Sequence, residues 1–159
     1  FTHSTIANYW SNSFRQFPAL LLNNFIIDAE NNVFTNPLES ANFTNCIVYG
    51  NDNPELLLEK ETSDVFNFKF TNSLIRFDDP TGFYSEPQYD FSNTDHYENV
   101  LFNNAPQFLD PSNNQLNIPI GSPAEGAGIT AGNLNVDLTN TTRTSPPDLG
   151  AYNATEFED

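Results

Sequence analysis

The chain has 159 residues, enough for one domain with an apolar core. Five Lys and Arg stand against 21 Asp and Glu, a formal charge of −16 that repels phosphate backbones and anionic membrane surfaces and so excludes nucleic acid as a partner. Fifteen Phe and six Tyr, set among Asn, Thr, Ser and Pro, describe short strands joined by turns and not a helical bundle.

In chain order, Phe1-Thr2-His3-Ser4-Thr5-Ile6 already reads as a strand, so any secretion signal or lipid anchor is expected upstream of it. A loop follows from Asn8 to Phe17, carrying Tyr9, Trp10, Phe14 and Arg15. Ala19-Leu20-Leu21-Leu22 is the next strand. Phe43-Thr44-Asn45-Cys46-Ile47-Val48 begins another, with the lone cysteine as a small core residue and no internal disulfide available. Asn51-Asp52-Asn53-Pro54 is a turn before Glu55-Leu56-Leu57-Leu58. Val65 to Phe70 alternates with period two and runs into Phe70-Thr71-Asn72-Ser73-Leu74-Ile75. A loop rich in acids and aromatics then leads to Tyr97-Glu98-Asn99-Val100-Leu101-Phe102. No apolar run reaches membrane-spanning length.

Three of these segments, starting at Phe43, Phe70 and Tyr97, align without gaps at a spacing of 27 residues, and a fourth copy starts at Phe1, 42 residues before Phe43. The longer interval implies an insertion of about half a repeat. A β-rich repeat of this size fits one coil of a right-handed parallel β-helix, an all-β solenoid advancing about 4.8 Å per coil. Stacking puts Phe1, Phe43, Phe70 and Tyr97 in one inward column, Ser4, Cys46, Ser73 and Val100 in a second, and Ile6, Val48, Ile75 and Phe102 in a third. The column Thr5, Ile47, Leu74, Leu101 points outward, and its apolar members call for a cover of loops or a partner. His3, Asn45, Asn72 and Asn99 interrupt the alternation as a bend, because Asn tolerates the left-handed conformation and can bond along a ladder of like residues.

The closing third contains Pro106-Gln107-Phe108-Leu109-Asp110-Pro111, Leu116-Asn117-Ile118, Gly121-Ser122-Pro123-Ala124-Glu125-Gly126-Ala127-Gly128, an Asp137 and Arg143 pair, and Asp148-Leu149-Gly150-Ala151-Tyr152. This series resembles the terminal region of right-handed parallel β-helix surface proteins of Bacteroidota-type Gram-negative bacteria. The resemblance spans about residues 43–152 and departs at Asn153 and at Glu125-Gly126. It implies β-helix coils over residues 1–120, with further coils upstream, and a cap and tail over 121–159. It also implies an extracellular or cell-surface location associated with the outer membrane, in a surface lipoprotein or a larger surface complex. Within the cap, Arg143 is expected to pair with Asp137 or Asp148.

No catalytic constellation is legible. Five scattered cations do not make a lyase base cluster, 21 acids yield pairs by coincidence, and phosphate-loop, zinc and nucleophile-elbow motifs are missing. The expected function is a non-catalytic module, a scaffold or an adhesion or glycan-binding component, whose partners are glycans or other surface proteins. The alternative is the C-terminal fragment of a polysaccharide-active enzyme, lyase or hydrolase, with its catalytic coils upstream. The candidate ligand contacts are Tyr9, Trp10 and Arg15 in the first loop and Tyr84 and Tyr89 in the second, where rings can stack on sugar faces. No cofactor or metal site is assigned. The oxygen donors Asp78, Asp79, Glu86, Asp90 and Asp95 suit Ca2+ as a class, but they lack the DxDxDG loop pattern.

Overall fold

A computed structural model describes residues 1–157, so the last two residues of the expected tail lie outside it. The fold is all-β with small, mostly parallel sheets. The strands are β1 (Thr5–Asn8), β2 (Leu20–Asn23), β3 (Phe25–Ile27), β4 (Val33–Thr35), β5 (Leu38–Thr44), β6 (Ile47–Gly50), β7 (Leu56–Glu59), β8 (Phe66–Thr71), β9 (Leu74–Ile75), β10 (Tyr97–Glu98) and β11 (Leu101–Phe102). They form a four-stranded sheet β1-β6-β9-β11, a three-stranded sheet β10-β8-β5, and the pairs β2-β7 and β3-β4. All pairings except β3-β4 are parallel.

The registers follow the repeat. Ile47 faces Leu74 and Leu74 faces Leu101, while Phe43 faces Phe70 and Phe70 faces Tyr97. Each equivalent residue is therefore one strand spacing from the next, as in the Cys46 amide that donates to Ser73 Oγ, 27 residues on. The longer first interval has two causes. The loop before β2 is lengthened, and an antiparallel hairpin, β3-β4, is inserted between β2 and β5. Pairing offsets accordingly shrink from 42 residues at His3–Asn45 to 36 at Ala19–Glu55 and 28 at Glu39–Asn67.

The bend is where the sequence places it. His3, Asn45, Asn72 and Asn99 have φ of 49°, 56°, 46° and 53°, the left-handed region. Their main-chain N–H groups donate to Thr44 O, Thr71 O and Glu98 O in turn, so the bends stack in successive layers. The side chains do something different from the expected ladder. Only Asn99 donates to Asn72 along the column, at 3.5 Å. Asn45 instead bonds both the N–H and C=O of Ile129, at 2.9 and 2.6 Å, and Asn72 donates to Ala127 O at 2.8 Å. A buried amide gains more from a free main-chain pair than from another amide whose own needs it would not meet.

Because a left-handed residue breaks the alternation, side chains on its two sides can both face inward. Phe43, Cys46, Val48, Leu56, Leu58, Phe68, Phe70, Ile75 and Tyr97 share the inner core. Its spine is a face-to-face column, Phe1 on Phe43 at 4.9 Å, Phe43 on Phe70 at 4.6 Å and Phe70 on Tyr97 at 6.0 Å.

The outer face of the four-stranded sheet is covered by the chain's own closing segment and is not free for a partner. Ile47 and Leu74 are 0% exposed and pack with Phe108, Ile118, Ala124 and Leu149. Main-chain bonds seat that segment: Gly150 N donates to Asn45 O, and Ala151 N donates to Thr5 Oγ1. Gly150 has φ +81°, and a Cβ there would stand 2.6 Å from Thr5 Oγ1 and 2.8 Å from Ile47 Cδ1, so only glycine lets the segment come this close. Arg143 pairs with neither expected acid. Asp137 accepts from the N–H groups of Thr139, Thr141 and Asn153, and Asp148 accepts from those of Gly126 and Ala154. Backbone donors, fixed in place by the turns, have claimed both carboxylates.

Phe70 sits in the middle of the aromatic column with no exposure. Phe70→Ala should cost ~3–5 kcal/mol in urea unfolding, whereas Phe14→Ala, at a side chain 90% exposed, should stay within about 0.5 kcal/mol of the parent.

Candidate functional site

The loop between β1 and β2 is fixed by an ion pair that the sequence does not advertise. Arg15 reaches Glu55 Oε1 and Asp52 Oδ2, both at 2.7 Å, and donates to Asn8 O at 2.7 Å. Its side chain is 8% exposed and that of Glu55 is 0%. Glu55 also accepts from Ala19 N and Asp52 N. Gly50 leaves room for this carboxylate, which a Cβ there would strike. Arg15 is thus a positioning residue that holds the loop down, and it is not available to a ligand. Burial alone would lower its affinity for the proton, but the bonds to Glu55 and Asp52 outweigh this and keep it charged.

With the loop held, Tyr9 and Trp10 line a groove of about 470 Å3 together with Ala7, Asn8, Ser11 and Asn12. Its opposite wall is Pro111, Ser112 and Asn114, from the single 3-10 turn Pro111–Asn113. Asp110 caps this turn by accepting from Asn113 N, and Asn114 ends it in the left-handed region at φ 58°. Trp10 is 54% exposed, and its indole N–H donates to Ser13 Oγ at 3.0 Å. Tyr9 meets Phe108 edge-on at 6.0 Å. Burial, with Tyr49 nearby, pushes its hydroxyl up to about 12, so it remains a donor. No lining residue is charged.

Tyr84 and Tyr89 line a different groove, of about 600 Å3, sharing no residue with the first. Phe25 and Ile27 of the hairpin form one side, Leu57 to Lys60 the base, and Phe83, Glu86 and Gln88 the other side. Tyr89 is structural at its polar end: its hydroxyl accepts from Leu58 N at 2.9 Å and donates to Leu58 O at 3.2 Å, and burial pushes it up to about 12. Tyr84 packs on Phe77 and Tyr89 at 5.2 and 5.0 Å. The five candidates therefore split into Tyr9 with Trp10, Tyr84 with Tyr89, and Arg15 in an ion pair.

The acids of the second loop serve its own turns. Asp79 accepts from Tyr84 N, Phe83 N and Thr81 Oγ1, and the Tyr84 N–H holds its carboxyl below the usual carboxylate range. Asp90 does the same for Ser92. Among the described residues no group of three or more His, Cys, Asp or Glu is placed to hold a metal ion. His96 stacks on Phe68 at 4.4 Å with Nδ1 3.0 Å from Phe68 O. Cys46 is fully buried, and burial pushes its thiol up, away from the reactive thiolate. Among the described residues no helix is long and apolar enough to cross a membrane.

Sequence reasoning missed the wall at Pro111–Asn114 and the pairing of Arg15 with Glu55. The wall had a local signal in Asp110-Pro111, a capped turn, but nothing in the sequence says which distant loop it faces. The ion pair spans 40 residues across the irregular first interval, where no constant spacing applies. No protein-family model matches the chain, and no curated protein or solved structure matches it.

Glu55→Ala leaves the buried guanidinium of Arg15 unpaired and should cost ~3–5 kcal/mol in denaturant unfolding. A loss below about 1 kcal/mol would show that Arg15 is not held as described.

Proposed function

We propose that the chain is a stretch of right-handed parallel β-helix serving as a non-catalytic extracellular or cell-surface module, and that it binds a neutral glycan in the Tyr9–Trp10 groove. Parallel, in-register pairing at a constant advance of 27 residues supports the fold. The closing series, laid across the outer face of the four-stranded sheet, supports a surface protein with further coils upstream, tied to the outer membrane as a lipoprotein or within a larger assembly.

The single observation that carries the binding reading is Trp10, more than half exposed beside Tyr9 in a groove lined by amides and hydroxyls without a charged side chain. An exposed indole in a strongly anionic protein has a hydration cost that a sugar face relieves, while Asn and Ser match its hydroxyls. The placement of the cations supports a non-catalytic role. Arg15 is bound in its ion pair, Lys69 pairs with Glu98 at 2.7 Å, and Arg76 lies over Tyr49 and donates to Gly50 O. These are separate structural duties and do not make a base cluster on one face.

Glycan-array screening of the intact protein, followed by calorimetry on the best neutral oligosaccharide, tests the reading. Trp10→Ala should weaken binding at least about tenfold, on the order of 1.4 kcal/mol, with the unfolding midpoint retained. Silence across neutral glycans, or equal binding by Trp10→Ala, would contradict it.

A further inference from the structure

The closing segment encloses a second concavity, separate from both grooves and independent of the glycan reading. It measures about 270 Å3 and is walled by Arg143, His3, Thr130, Asn135, Thr144 and Ser145 among others, with no carboxylate in its lining. In a chain carrying 21 acids and five cations, a cavity built around an arginine without an acid is unusual in its chemistry.

Arg143 is only partly satisfied there. Its Nη2 donates to Gly150 O at 3.1 Å and Ala151 O at 3.3 Å. Its Nε and Nη1 are buried and have no partner. The two nearby acids, Asp137 and Asp148, already accept from main-chain N–H groups and form no ion pair with it. Buried donors on a charged group that make no hydrogen bond are costly, and an anion is the group that best relieves that cost.

His3 shapes the same wall in a defined state. Ile129 N donates to Asn45 Oδ1, and Asn45 Nδ2 donates to Ile129 O, which fixes the direction of the amide. Asn45 Nδ2, 2.9 Å away, therefore also donates to His3 Nε2. The ring proton then resides on Nδ1, which has no partner at hydrogen-bonding geometry. His3 is a neutral wall, and Arg143 supplies the positive charge.

We propose that this cavity binds a small monoanion through its carboxylate, with Arg143 as the charge partner and the hydroxyls of Thr130, Thr144 and Ser145 as secondary contacts. A single guanidinium without a second cation matches one negative charge, and the −16 field of the chain disfavours a dianion. The volume admits one sugar acid or a smaller carboxylate and no longer chain.

The test is calorimetry and thermal melting of the intact protein with sodium D-glucuronate, acetate, D-glucose and sulfate. Saturable glucuronate binding is expected, with a rise in the melting temperature, at least tenfold weaker sulfate binding and none by glucose at this site. Acetate as strong as glucuronate supports a bare carboxylate site, and stronger glucuronate supports a sugar acid. Arg143→Gln should weaken glucuronate at least tenfold. Because that variant also loses the bonds to Gly150 and Ala151, the near-isosteric Asn135→Asp provides a second reading by placing a carboxylate in the wall, and it should weaken glucuronate similarly. No saturable glucuronate binding, equal binding of glucose, or unchanged affinity in both variants would overturn the proposal.

Discussion

The structure depends on one backbone constraint, a left-handed residue repeated at the same place in successive layers. His3, Asn45, Asn72 and Asn99 hold φ between 46° and 56°, a region that costs most side chains energy and asparagine little. Each bend turns the chain from the three-stranded sheet into the four-stranded sheet. Because the bends stack, the strands on both sides keep register over several layers. A shift of one residue in any layer would move a bulky β-branched or aromatic side chain to the other face of its sheet.

The bend also lets the four-stranded sheet be buried twice. Val48 and Ile75 face the inner core, while Ile47 and Leu74 face the closing segment. The bend asparagines join these two layers, since Asn45 and Asn72 reach outward to Ile129 and Ala127. The same side chains that turn the chain thus seat its cover. The cover in turn brings Pro111–Asn114 against the Tyr9–Trp10 loop and closes the cavity around Arg143. Fold and candidate sites share one support.

Much of the inner architecture was legible because a constant 27-residue spacing turns sequence alignment into spatial adjacency. The Phe1, Phe43, Phe70, Tyr97 column and the asparagine bends follow from that rule alone. What was not legible lacks a constant spacing. The β3-β4 hairpin interrupts the first interval and leaves Ile26 and Phe34 exposed, against ordinary patterning. The cover over Ile47 and Leu74 comes from residues up to about a hundred positions away, joined to them by no repeat. Arg15 looked like a ligand contact because an arginine among aromatics in a loop often is one, and its partner Glu55 is hidden at the head of an apolar run. Asp137 and Asp148 looked like counter-ions for Arg143, yet backbone N–H groups, which need not spend side-chain entropy, occupy them first.

Spin-label pairs measure the stacking most directly. Thr44 faces Thr71, and Thr71 faces Glu98, on adjacent parallel strands. Nitroxides at Thr44 with Thr71, and at Thr71 with Glu98, should both show strong dipolar broadening from strands about 5 Å apart. The Thr44 with Glu98 pair, two strands apart, should show distinctly less. Spectra of the adjacent pairs equal to the sum of the single-label spectra would contradict the layered register on which the fold and both sites rest.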